Sequence, residues 1–194
     1  MGDLVSAATA ASWIGVPNDA NLQFAVSAIS QLMADWCNRV FTATDLVEVY
    51  DGPGGTRMIT RNYPIISIAS LSVNGLAQVV SPGFGKIGYT SDGNRIIDLT
   101  GTCFDRGRQN VALSYRAGYA TIPMDLQLAC LNWVKDQILS RDRDGSIVSH
   151  RAGDTEEKFA AGGAVTNAGD GTGLVPMPAS VFAVLTNYRN VVPV

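Results

Sequence analysis

Two periodicities divide this chain. Near the start, Leu22, Val26, Ile29, Met33, Trp36 and Val40 recur in steps of three and four, which puts one apolar stripe on one face of a helix. Asn18 or Asp19 can cap it, and Asn38 and Arg39 near its end suit the negative pole of the helix dipole. A shorter alanine-rich helix is predicted before it over residues 6–14, stopped by Gly15 and Pro17. The helical period returns after Pro123, where Leu128, Leu131, Val134 and Ile138 form a stripe that Met124 extends and Trp133 widens. Arg141 and Arg143 finish that helix.

Between these helices the period falls to two. Short β-like runs cover residues 46–50, 65–73, 76–80, 86–89, 95–99 and 111–115, separated by turn residues at 51–55, Asn74-Gly75, Asp92-Gly93 and Gly107. Asn74-Gly75 between two β-branched runs is a strong hairpin signal, because both turn positions must take a positive φ. The spacing predicts a small antiparallel sheet or barrel. From residue 144 to 176 the sequence turns to Gly, Ala, Asp and Thr without apolar periodicity, which reads as a flexible arm. A short final helix follows Pro178, with Val181, Phe182, Leu185 and Tyr188 on one side and Arg189 beside them. A helix that short is marginal alone, so its apolar side needs a surface to dock on, on this chain or a neighbour.

The expected fold is therefore α+β: a helical bundle frame of residues 1–43 and 119–143, a β-rich antiparallel insert over 44–118, and a C-terminal arm over 144–194 ending in a helix at about 178–190. The partner-binding candidates are Val181, Phe182, Leu185, Tyr188 and Arg189.

Composition narrows the function. Hydrophobic residues make up 46% of the 194 and charged ones 16%, which leaves much weakly polar surface of the kind that buries against neighbours. The net charge is −3 and the arginines are scattered, so no basic stripe exists for gripping DNA phosphates, although passive contact with double-stranded DNA in a channel is compatible. Cys37, Cys103 and Cys130 are far apart, with no C-x-x-C, which argues against a disulfide framework or a zinc site. No apolar run reaches membrane-spanning length, and no signal peptide is expected, because Asp3 stands where a basic region belongs. The start formally matches a myristoylation pattern, but no polybasic second signal accompanies it.

Candidate chemistry is thin. Gly83-Phe84-Gly85-Lys86-Ile87-Gly88 matches G-x-G-x-x-G, but a turn and β-like residues follow where a nucleotide site needs a helix, so a hairpin loop is the better reading. Asp142, Asp144 and Gly145 lack the remaining ligands of a calcium loop. His150 is the only histidine and has no metal-ligand spacing around it, nor is there a nucleophile elbow for it to serve. Asp154, Glu156 and Glu157 read as surface charges. No catalytic, cofactor-binding or metal-binding residues are expected, and the chain reads as a non-enzyme.

Several segments, in order, resemble the head–tail connector (adaptor, neck) family of tailed bacteriophages. They are Ala11-Ser12-Trp13-Ile14-Gly15-Val16, Trp36-Cys37-Asn38-Arg39-Val40-Phe41, Tyr50-Asp51-Gly52-Pro53-Gly54, Tyr63-Pro64-Ile65-Ile66-Ser67-Ile68, and Val111 to Tyr119 running through Ile122-Pro123-Met124-Asp125-Leu126. The ending from Pro178 to Arg189 is similar to the family's closing helix, while the Gly-rich stretch over 162–173 departs from its pattern. The resemblance implies a ring, typically of twelve copies, that sits under the portal protein in the virion, extends the DNA channel and offers a platform to the next neck or tail protein. It also implies assembly in the bacterial host cytoplasm and a C-terminal segment that reaches toward the portal. A second reading makes the β insert a receptor- or carbohydrate-binding tail-tip module, which needs an exposed aromatic platform from among Tyr50, Tyr63, Phe84, Tyr89, Phe104 and Tyr115.

Overall fold

The computed structural model describes residues 2–141, 149–152, 155–158 and 177–190. The fold is α+β, as the periodicities predict, and the chain divides into two compact units. One holds Asn38–Ile122 and takes in Asn190; the other holds Gly2–Cys37 and Pro123–Arg189.

The helical unit begins with α1 (Ala7–Ile14). Ser6 caps it by accepting from Thr9 N–H at 3.1 Å, and Gly15 ends it at φ 81°, donating to Ala11 C=O. In α2 (Ala20–Cys37), Asp19 Oδ1 accepts from Leu22 N–H at 2.8 Å, and this hydrogen bond lowers the Asp19 pKa. Leu22, Val26, Ile29, Met33 and Cys37 are buried, the predicted stripe in all but its last turn. In α3 (Met124–Arg141) the buried face keeps Leu131, Trp133 and Val134 of the expected stripe but shifts over its first turns. Leu126, Ala129, Cys130, Leu131, Trp133 and Val134 are buried, whereas Met124 is 86% exposed and Leu128 45%. The small Ala129 and Cys130 let a neighbouring helix approach closely, and packing then overrides the stripe of larger residues.

The β unit contains β1 (Thr44–Gly52), β2 (Arg57–Ile59), β3 (Ile65–Val73), β4 (Leu76–Gln78), β5 (Gly88–Ser91), β6 (Ile96–Thr100) and β7 (Gly107–Ala117). They form two antiparallel sheets, ordered β1-β7-β3-β4 and β2-β6-β5. The β3–β4 turn has Asn74 and Gly75 at φ 51° and 78°, as the hairpin signal requires. The G-x-G-x-x-G residues form the loop that enters β5, and no helix follows them. The short β2 carries too few residues to show alternation, so the pattern misses it. Inner-face residues of both sheets share one core, including Tyr50, Met58, Leu71, Ile97, Val111, Leu113 and Tyr115, which Phe104 from the β6–β7 connection joins.

Within the predicted arm, Ser149–Ala152 and Thr155–Lys158 pair as a two-stranded antiparallel hairpin, β8 and β9, which composition did not signal. His150 pairs with Glu157 in its register. Asp142, Asp144, Gly145, Asp154 and the Gly-rich stretch lie outside the described residues. Residues 179–186 form the last helix, α4 (Ala179–Thr186).

A polar network sits at the edge of the β core. Tyr115 Oη donates to Glu48 Oε2 at 2.7 Å, and Tyr50 Oη also donates to Glu48. Asn62 Nδ2 donates to Glu48 Oε1 at 3.1 Å, and Arg61 N–H donates to Tyr50 Oη at 3.1 Å. Burial, reinforced by the bond to Glu48, pushes the Tyr50 phenol up to about 12, and burial raises Tyr115 as well. A folded chain that holds these protons above the unfolded value of about 10 is stabilised by them below pH 10 and loses that stability as pH rises toward 12. Urea unfolding between pH 10 and 12 is expected to show stability falling by about 1.4 kcal/mol per pH unit for each such phenol. Tyr50→Phe makes that fall shallower.

Candidate partner-binding site

The final helix was predicted to carry the partner contacts, and the fold first decides which of its side chains are free. Val181 and Leu185 are completely buried within the helical unit, so the apolar stripe finds its docking surface on this chain. Cys37 Sγ donates weakly to Leu185 C=O at 3.7 Å, a contact between the end of α2 and α4. Phe182 meets Trp36 edge-on, with ring centroids 5.4 Å apart and planes at 68°. The Arg189 guanidinium lies 5.0 Å from the Trp36 ring. Tyr188 Oη donates to Asp125 Oδ2 at 2.6 Å, which ties the end of α4 to the first turn of α3.

The five predicted residues therefore divide. Val181 and Leu185 hold the helix down and are unavailable to a neighbour while it is docked. Phe182 and Tyr188 are half-buried and Arg189 is exposed, leaving a polar-aromatic surface around Trp36. Sequence reasoning places Trp36 in the α2 stripe and Asp125 only in the stretch around Pro123 where the helical period returns. Their contacts with α4 join residues too far apart in sequence for spacing to reveal.

The β unit offers a second, different constellation. Arg39 is only 4% exposed, and its guanidinium lies 3.5 Å from the Tyr63 ring centroid, 5.3 Å from Phe41 and 5.4 Å from Tyr119. Its Nη2 donates to Tyr63 C=O. Arg95 lies 4.7 Å from the same Tyr63 ring and donates to Asn190 Oδ1 at 3.3 Å, while Asn190 Nδ2 donates to Arg61 C=O at 2.9 Å. Three aromatic faces offset part of the desolvation of Arg39. This arrangement ties together the chain before β1, the approach to β3 and the residues that follow β7.

The aromatic platform for sugar binding is not formed. Tyr50, Tyr89, Phe104 and Tyr115 are buried in the β core, Tyr63 is held beside the two arginines, and of the six only Phe84 is fully exposed. Other exposed apolar residues of this unit are Val47 and Val49 on β1, Ile66 on β3, and Leu76, Val79, Val80 and Ile87 around the β4–β5 connection. Among the described residues, no helix is long and apolar enough to cross a membrane.

Comparison with known proteins identifies the architecture. Residues 9–191 match the model of a family described as "Head completion protein". The fold is similar to a chain in the neck of an empty gene transfer agent (GTA) particle computed with C6 symmetry, with a TM-score of 0.59 at 15% identity, over 98% of this chain and 92% of that one. It is also similar to a chain in the neck of a native GTA particle computed with C12 symmetry, with a TM-score of 0.57 at 14% identity, over 100% and 96% of the two chains. A chain from the virion of a native GTA particle gives a TM-score of 0.57 at 14% identity, over 98% and 92%. No curated protein matches the sequence.

The docked geometry sets a testable hierarchy within α4. Leu185→Ala is expected to destabilise the protein by about 2–5 kcal/mol through the cavity it leaves. Arg189→Ala should cost about 1 kcal/mol or less, since it removes one exposed cation–π contact. Urea denaturation of the two variants checks both values.

Proposed function

The chain belongs to the head completion protein family, and from that premise we propose that it is a non-enzymatic structural subunit of the head–tail neck of a phage-like particle. Twelve copies form a ring below the portal protein, extend the DNA channel and join the capsid to the next neck or tail protein. The observation that carries this reading is the family match over residues 9–191, nearly the whole chain. The neck structures of similar fold, computed with C6 and C12 symmetry, support a ring.

The physical properties agree with such a role. A closed ring is built from head-to-tail contacts, each of which buries two different faces of the subunit. A chain with 16% charged residues supplies weakly polar faces for that purpose. A net charge of −3 suits a wall along which double-stranded DNA slides, because strong cationic contacts would hold it. Toward the portal or a neighbouring copy, α4 presents Phe182, Tyr188 and Arg189 around Trp36 while Val181 and Leu185 keep it seated. Assembly takes place in the bacterial host cytoplasm, and the product is a virion component.

Electron microscopy of the protein mixed with the portal of the same particle tests this. The expected image is a second ring stacked on the portal, with twelve subunits. Bare portal rings at a tenfold excess of the protein would overturn the reading.

A further inference from the structure

Among the described residues, the larger sheet has an unpaired strand edge on each of its opposite sides. β1 is a terminal strand there, paired with β7 alone, and so leaves the edge along residues 45–49 open. On the other side, β4 covers β3 only from Leu71 to Val73. Ile65 N–H is satisfied by Asn94 C=O at 2.8 Å. Among the described residues, 66–70 between these two stops have no neighbouring strand on that side, a window of five residues. Natural edges are commonly guarded by charged side chains, proline or bulges; β1 carries Asp45, Glu48 and Asp51 and β3 has register shifts within the window, but neither lysine nor proline stands in either stretch.

A groove of about 410 Å³ runs along the β3 window. Its walls include Ile66, Ile68, Val80 and Tyr89, and none of its lining residues is charged. The open edge of β1 carries Val47 and Val49, 82% and 44% exposed, in a stretch that matches the window in length, residues 45–49. Directions also agree: β1 and β3 both run antiparallel to β7, so they are parallel to each other. A copy placed beyond β3 in the same orientation brings its β1 to that edge as a parallel neighbour.

We infer that β1 of one copy adds to the open edge of β3 of the next, through residues 45–49 and 66–70, so that the sheet continues from subunit to subunit. The inference rests on the reading of the chain as a ring subunit and names one of its contacts. Two different edges on opposite sides of one sheet make a head-to-tail interface, the kind that closes into a ring. Register shifts in β3 between Ile65 and Ser67 and between Ile68 and Ser70 confine the pairing to a short stretch. The contact is then weak singly and strong only when all copies are held together.

Hydrogen exchange of the full-length protein, free and assembled on the portal, tests the idea. Backbone amides in residues 45–49 and 66–70 are expected to exchange at least tenfold more slowly in the ring. The exposed double variant Val47→Lys/Val49→Lys should keep the circular dichroism spectrum of the parent and fail to form rings. A ring in which residues 66–70 exchange as fast as in the free protein overturns the edge pairing while leaving the ring reading intact, as does normal ring formation by the variant. Absence of any ring with the parent protein overturns both.

Discussion

The fold depends on closing one long excursion of the chain. The β unit leaves after Cys37 and returns before Pro123, so its two ends must be held side by side for the helical unit to form from distant segments. Thr42 and Tyr119 form a parallel bridge at that point, and Tyr119 N–H donates to Phe41 C=O at 2.7 Å. Gly118 makes the approach possible. Its φ is 111°, and a Cβ there would lie 2.5 Å from Thr42 C=O, so no other residue fits without moving the backbone. Closing a loop of this length costs entropy that grows only slowly with the number of residues, and it is offset once for the whole insert.

The buried Arg39 belongs to the same closure. It follows the last turn of α2 and touches Phe41, Tyr63 and Tyr119, residues from both ends of the insert and from the strand approach between them. Lysine could not replace it equivalently, because a compact ammonium cannot stack its plane on Tyr63 while donating to that residue's carbonyl. A second tie reaches the same place from the far end of the chain, where Asn190 bonds Arg61 and Arg95. The cost of burying a cation is thus met at the one position where several chain segments converge.

Much of this was legible in the sequence, for identifiable reasons. The stripe of α2, the exact span of β3 and the Asn74-Gly75 turn follow from local rules, and the ordered segments that resemble connector proteins agree with the family match. The shifted face over the first turns of α3 was not legible, since periodicity ranks residues by size while packing favoured Ala129 and Cys130. The hairpin of β8 and β9 escaped because Thr155–Lys158 has no apolar alternation. In the candidate partner-binding surface, the stripe of α4 was visible but its seat was not. Trp36 and Asp125 meet α4 only after the chain has folded back on itself.

The two units differ in what they leave unsatisfied, and that difference bears on assembly. In the helical unit α4 is only eight residues long and lacks a side-chain N-cap, yet Val181 and Leu185 of its apolar stripe are fully buried. In the β unit the core is complete, but strand edges and valines on β1 remain open. The acidic Asp45, Glu48 and Asp51 of β1 and the register shifts of β3 limit pairing at those edges without covering them. The short β3 window limits it further, stopping at Asn94 on one side and β4 on the other. An edge that is open but only five residues long cannot hold a second chain firmly by itself. It fits a protein whose copies pair when another structure has already brought them together.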